Sequence, residues 1–503
     1  MKSKSYLVLV LVLVIATFIG CNAVGSNTVE DPDSGTQTVN EIAPVSKDNT
    51  YKINVELDVE AKTLTSNQSI QYVNAEVVDL KELYFNVYSN AFSSKETAPF
   101  LFDDFDRAYS RGFEPGYTEI SSIKTKAGES LKYSFQGEGN TILKVELTEP
   151  LKPGTAIELI MDYKVLVPPA NERFGYGENH FNLGNWYPVA AVYDKSGWNL
   201  DKYYPIGDPF YSDTANYEVT IKAPKEYVIA ASGNYISDIE EGSSRIWEFQ
   251  SSRMRDFAFV ANKDFDVAEQ IVDGTVVKSY YYKDDAKGGK EALEVGVNSI
   301  KIFNEKFGKY PYPNYSVVET VFPSGMEFPG LVYISDNYYK DFSNRDIQTI
   351  VIVHETAHQW FYGLIGNDQI DEAWLDEGFA TYAESIYFEN ALSTARGKNY
   401  FNNSVEERHN EVIAEKVIDG VVVKGLDDFK NWEDYGPTVY TRGAVVLNEL
   451  RNKLGDEKFF QVMKEYFKEY ESKIATTEDF IRVSEKVSGQ ELDEFFNTWL
   501  YAK

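Results

Sequence analysis

The clearest chemical arrangement in this chain is the run His354-Glu355-Thr356-Ala357-His358. Imidazoles four positions apart lie one turn apart on one helix face, so His354 and His358 can hold a single Zn²⁺ while Glu355 projects beside them towards water. With four histidines in 503 residues, on the order of 0.005 such patterns are expected by chance. A catalytic zinc takes three protein ligands and keeps one position open, so a third ligand is needed. Glu377 fits that place: 18 residues separate it from His358, enough for a turn and an antiparallel return. Trp374, Leu375, Phe379 and Ala380 around it mark a buried setting, where a carboxylate needs a partner and a cation is the obvious one. The expected chemistry is hydrolysis assisted by one Zn²⁺ per chain, with Glu355 as the base that takes a proton from water and gives it to the leaving amine.

These residues need two helices. Periodicity predicts one after Ser343-Asn344 through Tyr362, ending at Gly363 and Gly366, and a second capped by Asp371 and running to about Ala391. Gly443 to Leu454 and Glu457 to Tyr470 read as further amphipathic helices, so the C-terminal half is mainly helical. Upstream the period is two. Tyr51, Ile53, Val55, Leu57 and Val59 alternate with polar residues, and similar runs recur at Leu83 to Val87, Leu143 to Leu147, Ile157 to Tyr163 after the Lys152-Pro153-Gly154 turn, and Tyr217 to Ile221. Residues 49–265 therefore read as an antiparallel β-domain and 266–503 as the catalytic part, an α+β, multidomain chain.

The pattern H-E-x-x-H, 18 residues, then W-x-x-E-G resembles the aminopeptidase N family of gluzincin zinc metallopeptidases. Tyr440-Thr441-Arg442-Gly443-Ala444, Gly308 to Pro313 and Trp499 extend the similarity over most of residues 50–503. The resemblance implies a saddle-like N-terminal β-domain before a thermolysin-like catalytic domain. It also implies that the Tyr440 hydroxyl stabilises the oxyanion, and that Gly325, Met326 and Glu327 form the substrate-binding motif whose glutamate grips a free α-amine. Two departures stand out. That motif reads Ser324-Gly325-Met326-Glu327-Phe328, and the family's acidic β-domain motif aligns with Asn185-Trp186-Tyr187-Pro188, which has no carboxylate, so one amine anchor is expected to be missing. The large helical domain of longer relatives is also expected to be absent, which would leave an open cleft.

Lys2 and Lys4 precede an apolar run from Tyr6 to Gly20, too short for a membrane span, and Cys21 follows it. Residues 1–21 thus read as a signal peptide whose end resembles a bacterial lipobox, with Phe18 in place of the usual Leu. Cys21 is the expected lipidation site, and 22–48 a flexible tether. This predicts an extracytoplasmic enzyme anchored to the cell membrane by lipid. As the only cysteine, Cys21 excludes a disulfide framework and a cysteine metal site. The net charge of −30 disfavours nucleic acid as a partner, and 43% hydrophobic residues exclude general disorder. Three functions are consistent with the sequence: an aminopeptidase acting on peptide substrates, an endopeptidase on the same zinc centre, and a silent surface binding protein. The intact ligand set and base argue against the last.

Overall fold

The structure, a computed structural model, describes residues 48–501 except 103 and 341–344. The leader, Cys21, nearly all of the tether and the Ser343-Asn344 cap lie outside the described residues. Seven strands form the largest sheet: β1 (Asn49–Asp58), β2 (Thr63–Val73), β3 (Tyr117–Thr125), β4 (Ala156–Leu166), β5 (Ala215–Pro224), β6 (Asn234–Glu241) and β7 (Ser244–Met254), in the order β6-β7-β5-β1-β2-β4-β3. The alternation in β1 does what its period predicts, burying Tyr51, Ile53, Val55 and Leu57 and exposing Lys52, Asn54, Glu56 and Asp58.

The expectation of a wholly antiparallel domain is corrected at one seam. β1 and β5 run parallel, with Ile53 opposite Val219. A hairpin forces antiparallel pairing, but a connection as long as the one between these strands leaves the direction free. Tyr51 and Tyr217 stack across this seam with ring centroids 5.1 Å apart.

A second, mixed sheet lies under the helices. It contains β8 (Phe265–Val272), β9 (Thr275–Tyr282), β10 (Asn314–Thr320), β11 (Gly325–Met326) and β12 (Leu331–Ser335), ordered β8-β9-β10-β12-β11. The short β11 is therefore an edge strand. The main helices are α1 (Ala286–Lys306), α2 (Arg345–Ala357), α3 (Trp374–Ala391), α4 (Glu407–Ala414), α5 (Gly443–Leu454), α6 (Asp456–Tyr470) and α7 (Thr477–Ser488). α3 is buried on every side from Trp374 to Phe388, which marks it as the central helix of this half.

Two predicted boundaries move. α2 ends at Ala357, before the predicted Tyr362. The backbone tightens there, as Gln359 N–H bonds to Thr356 O at 3.1 Å, and Tyr362 then takes a positive φ of 113°. α3 starts at Trp374 and Asp371 does not cap it. Asp368 instead accepts from the amides of Ile370 and Asp371, holding the turn that leads into the helix.

The β-rich and helical parts are tied by Arg255, just past β7 and 1% exposed. Its guanidinium donates to three carbonyls: Tyr362 O at 2.7 Å, Lys473 O at 3.2 Å, and Ser212 O. A buried cation needs such acceptors. Gly366 makes room for it, since a Cβ there would sit 2.2 Å from the guanidinium carbon.

Candidate active site

α2 and α3 bring the predicted ligands together. The Nε2 atoms of His354 and His358 lie 3.1 and 3.2 Å from Glu377 Oε2, so three donor atoms converge on one point. His354 Nδ1 is 2.8 Å from Glu384 Oε1, and the Tyr400 hydroxyl donates to the other oxygen of Glu384. His358 Nδ1 faces Phe361 O at 3.0 Å. Each imidazole is thus oriented through its far nitrogen, the arrangement that presents the near nitrogen to a metal. Glu384 escaped sequence reasoning, although it lies two turns beyond Glu377 on the same face of α3.

The electrostatics favour a cation. Glu355, Glu327, Asp376 and Asp208 are all buried beside Glu377. Burial pushes Glu355 and Glu327 up to about 8, with the neighbouring carboxylates adding to the rise. Burial opposes a charge on His358, yet Glu377 and Glu327 raise it to about 10. Glu377 is held well below its ordinary range: burial opposes its charge, but His358 and His354 outweigh it. Glu355 Oε2 is buried without a partner. Two oriented imidazoles, a carboxylate and an orphaned glutamate oxygen fit a zinc ion and its attendant water.

Tyr440 lies on a π-helical stretch, Pro437–Arg442, that runs into α5. Such local widening is frequent at functional sites. Its hydroxyl donates to Glu377 Oε1 at 2.7 Å, and its ring lies nearly parallel to that of His354 at 5.7 Å. Two glycines permit the approach: a Cβ on Gly378 would lie 2.9 Å from Gly443 Cα, so only glycines let α3 and the start of α5 touch.

The substrate motif divides. Gly325 on β11 packs against Glu355, where an added Cβ would come within 2.1 Å of Oε1. Glu327 faces the centre and belongs with Glu355 and His358 to one group whose ligand atoms lie within 4.8 Å of one another. Gln369 steadies it, with Nε2 3.5 Å from Glu327 and 2.6 Å from Asp376. Met326 is corrected: it is 1% exposed, lies behind the cavity wall, and its sulfur accepts from Arg173 Nε at 3.0 Å.

The Asn185-Trp186-Tyr187 stretch is corrected as well. It lies in the β-domain core, where Asn185 and Tyr187 each bond the buried Asp256 at 2.9 Å. A carboxylate does come from the β-rich part, but from Asp208, which groups with Glu327 and Glu377 and pairs with the buried Arg173. No spacing in the sequence marks Asp208, since its position depends on a long loop.

Among the described residues these groups line a cavity of about 520 Å³. Residues 291–499 match the Peptidase family M1 domain. The chain is 28% identical over 302 residues to Aminopeptidase M1-D of Oryza sativa subsp. japonica, covering 57% of this chain and 34% of that protein. It is 25% identical to endoplasmic reticulum aminopeptidase 2 of Bos taurus, over 72% of this chain and 40% of that one. The matched region is thus about a third of the length of the plant relative. The M1 zinc metallopeptidase from Deinococcus radiodurans has the same fold, with a TM-score of 0.62 at 16% identity, covering 90% of this chain and 94% of that one. A mutant of that protein is solved with a Tyr-Ser-Ala substrate.

Proposed function

We propose that this protein is a zinc-dependent aminopeptidase that removes N-terminal residues from short peptides. The observation that carries the reading is the closeness of Glu327 and Asp208 to the cluster of His354, His358 and Glu377. One residue of extended chain spans at most roughly 3.6 Å. An ammonium held by these carboxylates therefore brings the first peptide carbonyl to the cluster and no later one.

His354, His358 and Glu377 would hold Zn²⁺, which would supply polarisation of that carbonyl and acidification of a water molecule. Glu355 takes the water's proton on its unpartnered Oε2 and passes it to the departing amine. The Tyr440 hydroxyl turns from Glu377 to the developing oxyanion, an interaction worth roughly 2.7 to 4 kcal/mol for comparable donors. Gly325 keeps the edge strand close enough to leave Glu355 beside the reacting carbon.

The test compares kcat/KM for a tripeptide and its N-acetylated form in wild type and Glu327→Ala. The expected result is strong preference for the free amine that collapses in the variant. Equal rates on both peptides in the wild type would point to an endopeptidase.

We also infer that the enzyme works outside the cytoplasm, held to the cell membrane through lipid on Cys21, from the leader and lipobox-like sequence. Labelling with a fatty acid should mark the wild type and not Cys21→Ser, and equal labelling of both would refute the anchor. No helix among the described residues is long and apolar enough to cross a membrane.

A further inference from the structure

The cavity has a direction. Glu327 sits at the His358 end of the cluster. At the other end His354 is bonded to Glu384, and Ile350 and Val351, one turn earlier on α2, line the same space. Arg408, near the start of α4, also lines it. Its place at the far end follows from its neighbours. Tyr400, on the segment leading to α4, bonds Glu384, and His409 lies 3.2 Å from Arg442, beside Thr441 of the wall.

Beyond the two histidines of the cluster, the lining has two basic side chains, Arg173 and Arg408, against Asp208, Glu327, Glu355, Glu377 and Glu384. Arg173 is committed. It pairs with Asp208, lies 5.3 Å from the centre of the Phe210 ring and 5.4 Å from that of Phe322, and is buried. Arg408 is held only loosely: its side chain is 49% exposed, and its ion pair with Glu411, at 3.5 Å, is to a partner itself 63% exposed, the kind of surface pair that contributes little. A planar, solvent-accessible guanidinium suits a carboxylate.

A peptide whose amine lies at Glu327 and whose first carbonyl lies at the cluster extends past His354 towards Arg408. If the peptide is short, its C-terminal carboxylate reaches this wall, where the five lining carboxylates repel it. We propose that Arg408 receives the C-terminal carboxylate of short peptides, so that the preferred substrates are short peptides with both ends free. This deepens the aminopeptidase reading and rests on it.

The test uses Ala-Ala-Ala, its C-terminal amide and its N-acetylated form with wild type, Arg408→Ala and Arg408→Lys. Wild type should favour the acid over the amide by about tenfold in kcat/KM, carried by KM, as expected for a half-exposed charge pair. The ratio should fall to about one in Arg408→Ala and recover partly in Arg408→Lys, with melting midpoint and zinc content matching wild type. Equal rates on acid and amide in the wild type, or an undiminished ratio in Arg408→Ala, would overturn the proposal. Equal rates on acetylated and free tripeptides would overturn the aminopeptidase reading beneath it, and come from a different substrate pair.

Discussion

Glu384→Ala removes the acceptor that orients His354 without touching a predicted metal ligand. Two donors converge on this carboxylate, His354 Nδ1 at 2.8 Å and the Tyr400 hydroxyl, and Glu384 is 5% exposed, so no bulk water stands ready to replace it. Losing the hydrogen-bond partner of a ligating imidazole typically costs roughly 10- to 100-fold in metal affinity, or about 1.4 to 2.8 kcal/mol. The stranded Tyr400 hydroxyl adds roughly 1 to 3 kcal/mol of lost fold stability. Glu384→Gln should be milder, about three- to tenfold in affinity, because the amide oxygen still accepts from Nδ1 and the amide nitrogen can donate to Tyr400, while the charge is lost. Competition with a chromogenic chelator at pH 7 gives the zinc dissociation constant, and activity is then measured at saturating zinc. The order wild type, Gln, Ala in affinity is expected, with most activity recovered once zinc is saturating. Zinc affinity in Glu384→Ala within twofold of wild type would refute the orienting role, as would lost activity at full metal occupancy.

Gly325→Ala should retain zinc and lose about 100-fold in kcat, because its Cβ would come within 2.1 Å of Glu355 Oε1 and push the base aside; near-normal kcat would show that Glu355 has room to spare. Burial, helped by Arg111, pushes His180 down to about 4, so the folded state prefers the neutral ring. Its contribution is complete above about pH 6.5 and is lost as pH falls towards 4, roughly 3 kcal/mol in all. Urea unfolding from pH 7 to 4 should therefore show a steeper loss in wild type than in His180→Phe, and parallel curves would exclude the histidine.

The reactive core was legible because its spacing is local. His354 and Glu355 lie side by side on the last turn of α2 and His358 follows one turn on, just past its end, while Glu377 announces itself through its apolar neighbours. Glu384 was legible in principle from the same helix period. Asp208 and Arg408 were not, since each reaches the cavity through tertiary contacts that no periodicity encodes. The placing of the missing amine anchor met the same limit: the family motif aligns with Asn185 to Pro188, whose own composition, a Trp and a Tyr beside a Pro, fits a core segment. Strand positions were read well wherever one face is buried. The parallel pairing of β1 and β5 left no trace, because alternation reports which face is buried and not which neighbour lies alongside.

Arg255 bears on how this protein can be cut and recombined. Tyr362, Ser212 and Lys473 belong to stretches far apart in sequence, yet their carbonyls share one guanidinium, and Tyr362 lies a single turn past His358. A fragment beginning near residue 266 would carry two of those carbonyls into the cavity left by the arginine, with no donor to meet them. A chimera that borrowed its β-rich part from elsewhere would face the same gap unless the new part brought an arginine at that spot. The two parts therefore form one inheritable unit, and a breakpoint between them would disturb the histidine helix before it changed the choice of peptide.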